Sequence, residues 1–166
     1  MIYLLDTNVL VDSNRDFYPV DGVKEFWEWL LSKANENIIK IPDEIYTEIK
    51  NGNDALANWV KIRDVEKVLK FEGSFDAKLL QNVLDNGYGE NLNDVELQTI
   101  QNDAILISYA LKDKNNFTIV STEASKPKRE RANRHVPDVC DSLGIKHCTG
   151  FSLFRTLGFR TDWKNI

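Results

Sequence analysis

Long apolar runs are missing from this chain. No stretch approaches the roughly 20 residues that a membrane-crossing helix needs, so no membrane span is expected. Cysteine is scarce too: Cys140 and Cys148 are too few for a disulfide scaffold, and their spacing matches no zinc pattern without nearby partners. His147 beside Cys148 reads first as a pair of packed or surface residues. Positive charge is not in excess either. The 21 Lys and Arg face 26 Asp and Glu, a formal net charge of −5, which argues against a broadly basic nucleic-acid binder. An enzyme whose acidic site cancels a local basic surface remains compatible with that sum. There is no basic-then-apolar signal peptide layout, which makes a cytoplasmic protein the expectation. Internal repeats, low-complexity tracts and linkers are absent as well. What remains is 166 residues, 42% hydrophobic and 28% charged, which suits one domain over 1–166 with a substantial core.

The pattern alternates strands with helices. Ile2-Tyr3-Leu4-Leu5 reads as a buried strand and runs straight into Asp6-Thr7-Asn8. Residues 14–22 read as loop, with turn chemistry at Tyr18-Pro19 and Asp21-Gly22. Val23, Phe26, Trp27, Leu30 and Leu31 then fall at helical spacing. Residues 38–41 form a second strand, and Pro42-Asp43 opens a helix that ends near Asn51-Gly52, with Ile45 and Ile49 on one face. Between residues 54 and 86 the pattern is mostly helical: Leu56, Trp59, Val60 and Arg63 mark one helix, and Phe75, Leu79, Leu80 and Val83 another. Residues 65–71 fit helix or strand. Gly87-Tyr88-Gly89 breaks the pattern before a helix starting at Asn93 or Asp94, and Asn102-Asp103 leads into a centrally buried helix. A third strand, 117–120, is followed by Ser121-Thr122-Glu123. A basic stretch then precedes a helix from Val136 to Gly144, a fourth strand at 145–147 and a closing helix. The fold class expected is three-layer α/β/α, with a central, mainly parallel sheet of about four or five strands.

Asp6 sits where the first strand emerges, the edge at which open α/β sheets bind ligands. An Asx-turn or helix cap explains an Asp there equally well. Asp103 likewise fits an N-cap, and Glu123 fits ordinary surface chemistry. Glu48 lies beside Ile49 on the margin of a buried face, whereas Asp43 fits a cap. Taken together, carboxylates at one sheet edge repel unless something neutralises them. A divalent ion such as Mg²⁺ or Mn²⁺ accepts such oxygen ligands, activates water and stabilises the leaving oxygen of a phosphodiester.

Asp6-Thr7-Asn8 after an apolar strand, an acid in a following helix, Asn102-Asp103 heading an Ala-Ile-Leu-rich helix and Ser121-Thr122-Glu123 after a strand resemble the PIN-domain nucleases. That family includes the VapC-type toxins of toxin–antitoxin modules. The resemblance implies a Mg²⁺- or Mn²⁺-dependent endoribonuclease cleaving single-stranded RNA, with an antitoxin protein and a homodimer as partners. It implies Asp6 as central metal ligand, Glu48 as the helix-borne acid, Asp103 as third ligand and Glu123 at the fourth position. Asn8 would support Asp6, and Ser121 or Thr122 would contact a water or ligand. Three departures stand out: the fourth acid is Glu rather than the usual Asp, residues 54–93 are long for a minimal toxin, and the segment after the fourth acid is basic.

A basic run replaces the family's usual short segment after the fourth acid. Lys126, Lys128, Arg129, Arg131 and Arg134 are offset only by Glu130. They suit guidance of a phosphate backbone toward an acidic pocket, docking of an acidic partner, or a solvated loop. Trp27, Trp29 and Trp59 read as core or interface, and Trp163 as a base-stacking or packing residue. Two alternatives to a nuclease are a non-catalytic PIN-like scaffold and a phosphatase with Asp6 as nucleophile. A haloacid-dehalogenase-type phosphatase needs a second Asp two positions on, where this chain has Asn8.

Overall fold

A computed structural model describes residues 1–165. Four residues suffice for the first strand, β1 (Ile2–Leu5), because both of its faces are covered: adjacent Leu4 and Leu5 point to opposite sides and both are fully buried. It is followed by α1 (Thr7–Asp12), α2 (Lys24–Asn35), β2 (Ile39–Pro42), α3 (Asp43–Lys50), α4 (Ala55–Val60), α5 (Arg63–Leu69) and β3 (Lys70–Phe71). The second half comprises α6 (Ala77–Val83), α7 (Asp94–Lys112), β4 (Phe117–Ser121), α8 (Val136–Leu143), β5 (His147–Thr149) and α9 (Gly150–Thr156). The five strands form one all-parallel sheet in the order β3-β2-β1-β4-β5, flanked by helices. The expected three-layer α/β/α class is therefore observed. β1 lies at the centre, with Tyr3 opposite Ile39 of β2 and Leu5 opposite Val120 of β4. The chain winds outward through β2 and β3, then returns to the other side of β1. The gap between the ends of β1 and β4 is thus the topological switch point, where α/β sheets leave a crevice.

Several boundaries differ from the sequence expectation. The loop foreseen over 14–22 begins only at Tyr18, because Ser13–Phe17 continue α1 as a π-helical turn. Arg15 favours that winding by bonding back to Asp12 at 2.8 Å and forward to Asp16. Arg63 opens α5 rather than closing the preceding helix, and Asp54 caps α4 by accepting the Ala57 N–H at 2.7 Å. Residues 65–71 divide: helix continues to Leu69, then Lys70 and Phe71 pair with Ile41 and Pro42 as the fifth strand. Phe75 precedes α6, which Asp76 caps. Helix α7 starts with a capping box between Asn93 and Glu96, then breaks at Gln101 (φ 38°, ψ −119°). Asn102 and Asp103 head its second, deeply buried half.

Aromatic packing closes the fold. Phe26 of α2 stacks on Tyr18 at 4.3 Å and meets Phe154 of α9 edge-on at 5.0 Å. Trp27 and Trp29 are buried, and Trp59 packs on Trp27. Trp163 donates its indole N–H to the Glu25 carbonyl at 3.0 Å, which fixes the C-terminal segment on α2. Among the described residues, no helix is long and apolar enough to cross a membrane.

Candidate functional site

Asp6 occupies the N-cap position of α1, with an extended backbone, yet its side chain makes no capping bond. Its own N–H extends the ladder to the Val120 carbonyl at 2.9 Å. The carboxylate turns instead to β4, where Ser121 Oγ donates to its Oδ2 at 3.1 Å. Only 5% of Asp6 is exposed. Burial raises its pKa to about 6; the Ser121 hydrogen bond opposes the rise, and repulsion from Glu123 and Glu48 adds to it.

Asp103 comes from the other side of the crevice. It lies two residues past the break in α7, and the capping duty belongs to Asn93. Among the described residues, no hydrogen bond is made to its carboxylate. Burial first, and then repulsion by Asp6, Glu123 and Glu48, lifts its pKa to about 8. The same four acids therefore appear in one mutual field, from β1, α3, α7 and the end of β4.

The two glutamates are already engaged within the chain. Glu48 Oε2 accepts from Thr7 Oγ1 at 3.0 Å and from Asn102 Nδ2 at 2.9 Å, which ties α1, α3 and α7 together. Glu123 Oε2 accepts the Val136 N–H at 2.8 Å, so it satisfies the first turn of α8. Thr7 and Asn102 were not singled out from the sequence; their signal was adjacency to Asp6 and Asp103. Ser121 is buried, and besides bonding Asp6 its Oγ accepts the Glu123 N–H at 3.2 Å. Asn8 and Thr122 are exposed, and neither bonds to the acids among the described residues.

Among the described residues, no group of three or more His, Cys, Asp or Glu is placed to hold a metal ion. The chemistry of the donor set nonetheless fits a hard divalent cation. All the donors are carboxylate oxygens, and a cation would offset both the burial and the repulsion that raise Asp6 and Asp103.

The basic run divides in two. Arg131 is drawn to Glu96, at 2.8 Å from Nη2, and to the carbonyls of Glu90 and Asn91. Arg134 donates to the carbonyls of Gly87 and Asp138 and to Ser142 Oγ. Both arginines therefore clamp the segment around Gly87–Asn91. Lys126, Lys128 and Arg129 remain exposed to solvent. Buried Asp138 anchors their loop, accepting from Ser125 Oγ and from the Lys126 N–H at 2.8 Å. Beside the crevice, a cavity of about 230 Å³ runs between Val9, Asp12, Thr122 and Thr149. At its wall, half-exposed Phe17 and Phe151 meet edge-on at 4.8 Å. His147, by contrast, pairs with Asp141 at 2.9 Å, away from any cysteine partnership.

An all-parallel α/β sheet with buried Asp6 and three further acids near its switch point defines a doubly wound protein with an acidic crevice. The chain belongs to the family described as Domain of unknown function (DUF4411), which it matches over residues 3–161. All four acids and the basic run fall within that match. No curated protein matches the chain.

Proposed function

We propose that this protein is a divalent-metal-dependent endoribonuclease of the PIN-like type, acting on single-stranded RNA. The observation that carries the reading is the grouping of Asp6, Glu48, Asp103 and Glu123, where burial first, and repulsion from neighbouring acids after it, raises Asp6 to about 6 and Asp103 to about 8. Asp6 and Asp103 would hold the ion, with Glu123 contributing through its remaining oxygen. Mg²⁺ or Mn²⁺ supplies the Lewis acidity that activates a water and stabilises the leaving oxygen of a phosphodiester. The chain's own residues do the rest. Ser121 orients Asp6, while Glu48, held by Thr7 and Asn102, sets the spacing of three helices. Lys126, Lys128 and Arg129 offset the repulsion that acids exert on a phosphate backbone. Exposed Phe17 and Phe151 offer ring faces to unpaired bases, which favours a single strand over a duplex. The PIN resemblance extends the proposal to a cytoplasmic toxin with an antitoxin partner and a homodimeric state.

The test is cleavage of an unstructured, end-labelled RNA by the purified chain with Mn²⁺ or Mg²⁺. EDTA should stop it, and Asp6→Asn and Asp103→Asn should abolish it while leaving the circular dichroism unchanged. If both variants cut like the parent, the reading is wrong. A non-catalytic scaffold is the second reading, favoured by the hydrogen bonds that already engage Glu48 and Glu123. It predicts no cleavage under any metal. A phosphatase would instead turn over a small phosphate ester and spare RNA.

A further inference from the structure

The cavity of about 230 Å³ beside the crevice brings together α1 and α9, the first and last long elements of the chain. Its floor is apolar, with Val9 and Phe154 buried there and Gly150 between them. A Cβ on Gly150 would already touch Val9 Cγ1 at 3.4 Å and the Phe154 ring at 3.5 Å, so a larger side chain would occupy the floor. Phe17 and Phe151, each about half exposed, form the wall and meet edge-on at 4.8 Å. Two short links join this space to the acids. The Val9 N–H donates to the Asp6 carbonyl at 3.1 Å, and Thr122 at the rim lies between Ser121, which bonds Asp6, and Glu123. The volume is below the roughly 300 Å³ at which pockets for drug-sized ligands begin, and suits one planar ring system.

Apart from exposed Thr122, the polar side chains around the cavity are acceptors with no hydrogen to give. Ser13 spends its hydroxyl hydrogen on the Val9 carbonyl at 2.6 Å, and Thr149 spends its own on Ser152 Oγ at 3.1 Å. Asp12 and Asp16 bring only acceptor oxygens. Arg15 holds both, yet it takes Oδ1 of Asp12 and leaves Oδ2 without a partner among the described residues. A ligand that fits must therefore offer a flat apolar face and an edge rich in donors. Among the RNA bases, only guanine has two adjacent donor groups, N1–H and the N2 amino group, which one carboxylate accepts together. Adenine and cytosine set a ring acceptor beside their amino group, and uracil flanks its single N–H with carbonyls. We propose that this cavity is a guanine subsite, where one unpaired guanine stacks against the Phe17–Phe151 wall and donates its Watson–Crick edge to Asp12. The inference rests on the RNA reading above and gives it a sequence preference, a guanine next to the strand held in the crevice. Binding of the base itself requires no metal ion.

The experiment measures binding of labelled single-stranded RNA to the purified chain by anisotropy, in EDTA at low salt. The probes are a short oligouridine and the same oligomer with one central guanine, adenine or cytosine. The guanine oligomer should bind wild type about tenfold tighter than the other three, within the range one bidentate base contact gives. Asp12→Asn keeps the shape and turns an acceptor oxygen into a donor amide; it should erase the guanine preference without weakening oligouridine. Phe151→Leu should weaken the guanine oligomer about fivefold through lost stacking. Circular dichroism confirms that each variant is folded. Equal affinity for the four oligomers, or a preference for another base, overturns the inference, while the cleavage reading stands or falls by its own assay. A guanine preference that survives in Asp12→Asn also overturns it, by placing the base elsewhere. A wild-type chain that binds none of the oligomers removes RNA as the ligand, and the inference falls with it.

Discussion

Replacing Asp103 with Asn should make the metal-free protein more stable in mild alkali, although it removes a charged group from the candidate site. The folded chain holds the Asp103 proton up to about pH 8, against an ordinary value of 3.8 that stands for the unfolded chain. Across that interval the folded state binds more protons than the unfolded state, so stability must fall as pH rises and level off above about 8. Each pH unit of one fully linked proton is worth about 1.4 kcal/mol, which bounds the fall at roughly 6 kcal/mol. Part of the rise comes from Asp6, which is itself raised by the same neighbours, so the two effects overlap rather than add. Relaxation of the exposed Glu48 side chain lowers the figure further. A fall of roughly 2–4 kcal/mol between about pH 5 and pH 8 is expected for wild type. Asp103→Asn should lose most of that slope and exceed wild type by about 2 kcal/mol near pH 8. The assay is urea unfolding across this range in EDTA, followed by circular dichroism. Comparing the two proteins cancels the titrating groups remote from Asp103, and leaves its coupling to Asp6 inside the difference. Adding Mn²⁺ near pH 8 should restore wild type and leave the variant unmoved. Parallel stability curves for the two proteins would refute the electrostatic reasoning.

The other expectations concern Ser121 and the basic run. Ser121→Ala deletes the 3.1 Å bond that favours the ionised Asp6. Metal-free stability should drop by about 1 kcal/mol and Mn²⁺ affinity by roughly tenfold, and unchanged affinity in calorimetry would remove Ser121 from the site. Lys128→Gln with Arg129→Gln should lower the salt slope of single-stranded RNA binding by about 1.4, measured by anisotropy in EDTA. Arg134→Gln should leave that slope unchanged and lower the melting temperature, because it unclips the carbonyls of Gly87 and Asp138. The reverse assignment would show that Arg134, not the exposed pair, meets phosphate.

Much of the fold could be read from short apolar runs bounded by turn residues. Ile2–Leu5, 38–41 and 117–120 each announced a strand, and the acid or hydroxyl that follows lands at the sheet edge for a purely geometric reason. β3 was illegible because two residues carry no period, and only pairing with Ile41 and Pro42 makes them a strand. The π-helical turns at Ser13–Phe17 and Leu84–Tyr88 were equally hidden, since their composition suits loops. At the site, the identities of the four acids were legible but their hydrogen bonds were not. That Glu123 serves α8, or that Arg131 finds Glu96 across 35 positions, depends on which loops fold against which helices. Phe17 gave no signal at all, as a residue read as loop says nothing of the ring it meets from the closing helix.

The central position of β1 also sets when the acidic crevice can exist. Asp6 is made before the serine that bonds it, which lies 115 positions later, on the neighbouring strand. Chains emerge from the ribosome amino end first. A nascent or stalled chain ending before β4 therefore carries Asp6, Glu48 and Asp103 but not the strand that sets their geometry. The crevice stays unformed until β4, which ends at Ser121, has been made. Under the proposed RNA cleavage, that delay would keep the unfinished chain harmless to its own message.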